Sequence, residues 1–177
     1  ICSTHGPVWQ RQIAKVLDIY DRLSRYEGEP GAVVAYGSMY GNTEQMAERI
    51  ARELAEAGVR RVRGHNLSYA DPSVVLRDVF RYDTLVVGSP TYNAELFPPV
   101  EQLLRRLEAR CIPQRNFAFF GSFTWAAAAV RRMKEFSERM KWEPVCGPVE
   151  MKQGYSPAMI DPCRSLAAAV AERVLRK

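Results

Sequence analysis

Short apolar runs alternate with longer amphipathic stretches along most of the chain. Continuous apolar runs bounded by turn residues predict strands buried on both faces of a sheet, whereas apolar residues at a spacing of about 3.6 predict helices. The predicted strands are 32–36, 59–66, 84–88, 116–120 and 144–151. The predicted helices that follow them are 43–57, one opening at Asp71-Pro72, 100–109, 126–140 and 162–175. Because short loops join strands to helices, we expect parallel strands, right-handed crossovers and a three-layer α/β sandwich.

The first thirty residues do not follow this alternation. Residues 7–26 carry a broad apolar stripe that predicts one long helix. Residues 27–31, Glu-Gly-Glu-Pro-Gly, have the composition of a short linker. Since the chain does not begin with Met, we interpret it as a piece of a longer protein. We assign 1–30 to the tail of an upstream domain with a linker helix, and 31–177 to the main domain.

The length of 177 residues fits one domain with a short appendage. Apolar runs stay well below the roughly 20 residues that span a bilayer, and the start lacks the pattern of a signal peptide. We therefore expect no membrane association and a cytoplasmic location. No C-x-x-C pair suggests a zinc or iron–sulfur site, so the cysteines are expected to be reduced thiols. These residues are Cys2, Cys111, Cys146 and Cys163.

The formal net charge is +5. The arginines are scattered and accompany no recognised nucleic-acid-binding motif, so we expect no nucleic-acid partner. Two interpretations remain for the basic surface: an ordinary solvated face, or a face that attracts an acidic protein.

The first predicted strand leads into a loop of small and polar residues that opens a helix. The loop is Ser38-Met39-Tyr40-Gly41-Asn42-Thr43. A phosphate there can accept backbone N–H groups, the hydroxyls of Ser38 and Thr43, and the Asn42 amide, at the positive end of the helix dipole. The loop has no lysine and no G-x-G-x-x-G pattern, which disfavours a nucleoside triphosphate or a dinucleotide. It suits a terminal monoester phosphate such as that of FMN; the alternative is a capped turn without a ligand.

Two further loops follow the third and fourth predicted strands, whose carboxyl ends share an edge with the first. The second loop is Ser89-Pro90-Thr91-Tyr92-Asn93. Tyr92 can stack on a flat heterocycle, and the backbone around Thr91 and Asn93 can bind its edge. The third loop is Gly121-Ser122-Phe123-Thr124-Trp125. It offers backbone amides beside two aromatic rings, although Phe123 and Trp125 could instead be core residues.

These three loops resemble the flavodoxin family, and in detail the C-terminal flavodoxin domain of the flavodiiron proteins. The matching motifs are Ser38-x-Tyr40-Gly41-Asn42-Thr43, Gly88-Ser89-Pro90-Thr91-Tyr92-Asn93 and Gly121-Ser122-Phe123-x-Trp125. The segments 4–9 and 96–104 are also similar to that family. The resemblance implies a flavodoxin-like sandwich with a five-stranded parallel sheet of order 2-1-3-4-5, preceded by an extra helix. One departure is Thr124 with three alanines after it, where the family often has glycine-rich sequence.

The resemblance also implies a function. In that family an upstream domain holds a diiron centre that reduces O₂ or NO, and FMN relays electrons to it from rubredoxin or a related donor. His5 would be the last iron ligand, stranded here because no H-x-E-x-D-H run supplies the others. We therefore expect FMN but no metal in this chain, a diiron centre only in the full-length parent, and partners that include a rubredoxin-like or other reductase donor. The diiron domain, possibly of a second subunit, is the other expected partner.

Alone, the chain is expected to transfer electrons and not to be a complete reductase. One alternative is a free-standing flavodoxin that diffuses between partners. The N-terminal helix, the 4–9 segment and the basic charge argue against it. Another alternative is an FMN-dependent NAD(P)H:quinone reductase, which would need an insertion to make room for nicotinamide above the flavin.

Overall fold

The computed structural model of the chain describes residues 1–176. Its strands are β1 (Glu29–Tyr36), β2 (Val62–Asn66), β3 (Tyr82–Tyr92), β4 (Glu95–Leu96), β5 (Asn116–Phe123) and β6 (Val149–Lys152). Its helices are α1 (Ile13–Ser24), α2 (Asn42–Glu56), α3 (Pro72–Arg81), α4 (Pro98–Glu108), α5 (Ala129–Met140) and α6 (Ile160–Leu175), with a 3-10 turn at Pro157–Met159.

Five strands form a parallel sheet in the order β2-β1-β3-β5-β6. In the numbering of the predicted strands this order is 2-1-3-4-5, so the expected fold is confirmed. The sheet has one strand more than predicted, because β4 pairs antiparallel with the end of β3. Asn93 and Ala94 join the two strands with φ angles of 49° and 58°, the left-handed pair of a two-residue hairpin turn. Asn-Ala lacks the glycine that would have signalled this turn in the sequence.

The apolar runs are continuous because both faces of the sheet are covered. Val33 and Ala35 face a core shared with α3, α4 and α5, whereas Ala32 and Val34 face a core shared with α2 and α6. Alternate residues of each central strand therefore enter opposite cores. The middle strands carry no polar face, which explains why an apolar run predicted them correctly.

The N-terminal segment differs from its prediction. Its helix spans Ile13–Ser24 and not residues 7–26, since Gln12 before it adopts a left-handed conformation with φ 58°. Within α1, which lies wholly in the described part of the chain, Val16 alone is buried. A stronger tie to the domain body comes from Arg115, which is 4% exposed and donates to the carbonyl of Tyr26 beyond α1 and to the carbonyls of Val79 and Phe80 in α3.

Helix α5 begins at Ala129, three residues later than predicted. Strand β6 coincides only with the end of the predicted strand 144–151. At the start of that predicted strand, Pro144 forms an isolated bridge with Phe117. Within residues 1–176, no helix has both the length and the apolar character needed to cross a membrane.

Candidate functional site

The three predicted loops meet at the carboxyl edge of the sheet. Together they line most of a cavity of about 80 Å³. The residues that line it are Ser38, Met39, Tyr40, Asn42, Thr43, Pro90, Thr91, Ser122, Phe123, Thr124 and Gln153. Ten of the fifteen residues predicted for the site are thus brought together. Gly41, Ser89, Tyr92, Asn93 and Trp125 do not line this cavity, and Gln153 was not predicted.

The first loop delivers the N-terminus of α2 to the cavity. Gly41 precedes the helix in a left-handed conformation, φ 81°, which glycine adopts without strain. Its N–H donates to Ser38 Oγ at 3.1 Å, which closes the loop on itself. Among residues 1–176, no side chain caps α2, so the N–H groups of its first turn are left for another acceptor. Unpaired N–H groups and the helix dipole together favour an anion at this point.

Beneath this helix start, two hydroxyl groups join the first loop to the third. Thr43 Oγ1 and Ser122 Oγ lie 2.9 Å apart, and the two residues are 2% and 7% exposed. A hydrogen bond between two hydroxyls uses only one of their two protons. The second proton remains for an acceptor in the cavity, as the sequence predicted for Thr43.

Asn42 makes a contact that the sequence did not predict, and its side-chain NH₂ group, the predicted donor, still lies at the cavity. Its side-chain Oδ1 accepts the N–H of Tyr155 at 3.0 Å. The residue therefore fastens the segment after β6 to the start of α2. The sequence could not indicate this contact, because its two partners are 113 residues apart.

Two residues of the second loop also serve the framework. Ser89 is fully buried; its Oγ accepts the N–H of Phe97 at 3.1 Å and donates to the carbonyl of Pro90 at 2.9 Å. Thr91 Oγ1 accepts the N–H groups of Ala128 and Ala129, each at 3.1 Å. It therefore acts as the N-terminal cap of α5 from a distant part of the chain. Both side chains therefore hold the loops together, while the predicted contact between the backbone of this loop and the cofactor stays a prediction.

Large apolar side chains surround the cavity and point into solvent. The exposed fractions are 86% for Tyr40, 48% for Tyr92 and 90% for Trp125. The Tyr92 ring meets Phe97 edge-on, with centroids 6.0 Å apart. Trp125 is consequently not a core residue, which settles one alternative left open by the sequence. Such a rim is suited to stacking against a flat ring system.

The cavity itself is electrically neutral. None of its lining residues among the described part of the chain is Asp, Glu, Lys or Arg. The nearest carboxylate in the first turn of α2, Glu44, accepts hydrogen bonds from Tyr36 Oη at 2.8 Å and from Asn66 Nδ2 at 3.3 Å. Burial, reinforced by this carboxylate, raises the pKa of Tyr36 above its ordinary value. Glu44 is therefore tied to the strands beside the cavity, and anion binding depends on N–H and hydroxyl donors.

His5 lies exposed in the N-terminal segment. Among residues 1–176, no three His, Cys, Asp or Glu side chains are grouped so as to hold a metal ion.

Comparison with known proteins shows which proteins share this architecture. The profile of the flavodoxin family matches residues 34–165. A nitric oxide reductase of Moorella thermoacetica is 28% identical over 148 residues, which are 84% of this chain and 37% of that protein. The rubredoxin oxygen:oxidoreductase of Desulfovibrio gigas superposes on 93% of this chain with a TM-score of 0.87 and 22% identity, over 41% of its own length. An archaeal flavodoxin superposes on 82% with a TM-score of 0.71 and 24% identity, over 99% of its own length.

The chain thus spans less than half the length of the oxidoreductases that it resembles. The family profile covers well over half of the chain and includes all three loops. The chain belongs to the flavodoxin family, and its cofactor is FMN.

Proposed function

We propose that the chain holds FMN at the carboxyl edge of its sheet and relays electrons through it. Thr43, Ser122 and the first turn of α2 would bind the phosphate, with Ser38 shaping the loop around it. Tyr92 and Trp125 would flank the ring system, and the backbone of the second and third loops would meet its polar edge. The uncapped start of α2 above a buried hydroxyl pair carries this proposal.

The chemistry of the donors fits this cofactor. A neutral, hydroxyl-rich cavity of about 80 Å³ has room for a phosphate and not for a whole flavin. The flat ring would then rest on the open rim, where exposed aromatic side chains supply stacking surface. Bound FMN accepts and donates electrons singly or in pairs, and the protein around it sets orientation and solvent access. An acid–base pair is not needed for that task.

We further propose that the domain belongs to a flavodiiron-type oxidoreductase, with residues 1–30 as the tail of an upstream domain and 31–177 as the electron-entry domain. The Desulfovibrio gigas enzyme superposes on 93% of the chain, more than the share that follows residue 30. Part of the N-terminal segment therefore has a counterpart in that enzyme. A diiron domain and a rubredoxin-type donor would be the partners of the full-length parent, and a cytoplasmic location remains our expectation.

A free-standing electron carrier is the second candidate. It is supported by the archaeal flavodoxin, which matches this chain over 99% of its own length. The two candidates make the same prediction for the flavin site and differ over the N-terminal segment.

Cofactor identification tests the main proposal. The purified protein is unfolded in guanidinium chloride and the released flavin is identified by chromatography. The stripped protein is then titrated with FMN, FAD and riboflavin while flavin fluorescence is followed. FMN is expected to be released and to bind the most tightly of the three. Release of FAD, or no response to added FMN, would refute the site assignment.

A further inference from the structure

A fourth loop, residues 153–156 after β6, lies beside the cavity that the three sequence-predicted loops line. Gln153 begins this loop and lines the cavity. Because β6 pairs in parallel with β5, with Phe123 opposite Lys152, the fourth loop emerges next to the third. It lies at the edge of the sheet where ligands of such folds bind.

Hydrogen bonds of backbone N–H groups anchor the fourth loop at Gln153 and at Tyr155. The Gln153 N–H donates to the carbonyl of Phe123 at 2.7 Å in the third loop. Two residues later, the Tyr155 N–H donates to Asn42 Oδ1 at the start of α2, and the Tyr155 ring packs against the core under α2 and α6. The loop is therefore attached to the two segments that would surround a phosphate.

Gln153 has an unusual backbone conformation for its residue type. Its φ angle is 67°, in the left-handed region that favours glycine. The neighbouring Gly154 has no such angle, so the glycine of this loop does not relieve the strained position. Residues held in this way are often found where the backbone must direct a side chain to a ligand.

The side-chain amide of Gln153 is unused within the protein. Among residues 1–176 it forms no hydrogen bond. The cavity that it lines has no charged side chain, so an added neutral donor would strengthen anion binding without changing the charge of the site. Of the two ends of the site, Gln153 lies at the α2 end, since its loop is fastened to Asn42 and not to the second loop, where Tyr92 stands.

We propose that the side-chain amide of Gln153 donates a hydrogen bond to the phosphate of FMN, and that the fourth loop thereby selects the phosphorylated flavin. This inference rests on the proposed function, because it assumes that the phosphate lies at the start of α2. Removing the amide should then weaken FMN binding but leave riboflavin, which lacks the phosphate, unaffected. Replacing the amide with a carboxylate should be more harmful still, since like charges repel.

The test compares FMN and riboflavin affinities of the stripped wild type, Gln153→Ala and Gln153→Glu by fluorescence titration. FMN affinity should fall about tenfold in Gln153→Ala, the loss expected for a hydrogen bond to a charged group. It should fall further in Gln153→Glu, where the carboxylate also repels the phosphate. Riboflavin affinity should stay within about twofold, because the expected loss belongs to the phosphate contact. Gln102→Glu, an exposed residue of α4, is the matched control for added charge.

Equal losses for both flavins, or no loss of FMN affinity in Gln153→Ala, would overturn the inference. Both results require that the wild type binds FMN; failure of the wild type to bind it would instead refute the proposed function. Urea unfolding of each stripped variant verifies that the fold is retained, and the FMN-to-riboflavin affinity ratio stays informative if overall affinity shifts.

Discussion

The carboxyl-edge loops and the N-terminal segment, residues 1–28, both expose large apolar side chains, but they are held in different ways. The loops are tied to one another by buried or half-buried hydrogen bonds between Thr43 and Ser122 and from Ala128 and Ala129 to Thr91. In the N-terminal segment, three exposed ion pairs lie within α1 and the turn after it. Exposed pairs of this kind contribute little to stability.

Because of this difference, the exposed apolar side chains of the two regions have different surroundings. At the carboxyl edge, Trp125 and Tyr92 stand on a framework that is already fixed, as a preformed binding site requires. On α1, Leu17 and Tyr20 are 58% and 67% exposed on a helix that buries one residue. The first region has the fixed framework that the proposed ligand site needs, whereas the second buries little of its helix.

The largest expected effect concerns the point where the N-terminal segment is joined to the domain body. Arg115→Ala removes a buried guanidinium that donates to the carbonyls of Tyr26, Val79, Phe80 and Gln114. Since each such bond is worth about 1.5–3 kcal/mol, we expect the free energy of unfolding to fall by at least about 3 kcal/mol in a urea titration. Arg173→Ala, on the exposed surface nearby, is the control. A loss below about 1 kcal/mol would show that these carbonyls are satisfied by water.

Thr43→Val addresses the ligand side of the comparison. The substitution keeps the shape but removes the hydroxyl that bonds to Ser122 and faces the cavity. FMN affinity should fall about tenfold or more, the equivalent of one hydrogen bond to a charged group. Fluorescence titration measures it, with the exposed Thr4→Val as the matched control. Unchanged affinity would mean that Thr43 only links the two loops.

Thr91→Val tests whether the Thr91 hydroxyl fastens the second loop to the start of α5. Without the hydroxyl, the N–H groups of Ala128 and Ala129 lose their cap, at a cost of about 1 kcal/mol in the free energy of unfolding. Helix α5 should fray at its start and protect its first amides less against hydrogen exchange. Equal amide protection in the variant and the wild type would contradict the capping role.

The smallest effect is expected on the outer face of α1. Leu17→Ser and Tyr20→Ser should each change the free energy of unfolding by less than about 0.5 kcal/mol, because neither side chain is buried. Val16→Ala, on the inner face, should lower it by about 1.5 kcal/mol through two lost methyl groups. If the outer substitutions prove as costly as the inner one, α1 is packed on both sides in solution.

The sequence predicted the features that depend on local chemistry. Buried runs such as 84–88 gave the central strands, and Asp71 caps α3 as expected, with Oδ1 accepting the Ser73 N–H at 2.7 Å. It also placed the three loops at one edge, since that follows from parallel pairing alone. The sequence could not show which donor meets which acceptor. The side-chain oxygens of Asn42, Ser89 and Thr91 could each bind a ligand, but in the folded structure they accept backbone N–H groups of other segments.

Gln153 was missed for a related reason. No sequence pattern predicts a glutamine in the left-handed conformation, and the adjacent Gly154 would by itself predict an ordinary turn. The one available signal was topological: the loop after the last strand must share the edge of the other three. The predicted strand 144–151 ends one residue before β6 does, so the sequence already placed the start of this loop to within one residue.

The hydroxyl pair and the Asn42 anchor have a kinetic consequence. Their partners are 79 and 113 residues apart in sequence, so the cavity exists only after β1, β5 and β6 have all docked. Contacts of such long sequence separation form slowly, because loop-closure entropy must be overcome before they contribute. During refolding in the presence of FMN, helical circular dichroism should therefore recover before flavin fluorescence is quenched. The cofactor would join a chain that has already finished folding, and its capture would mark the final step.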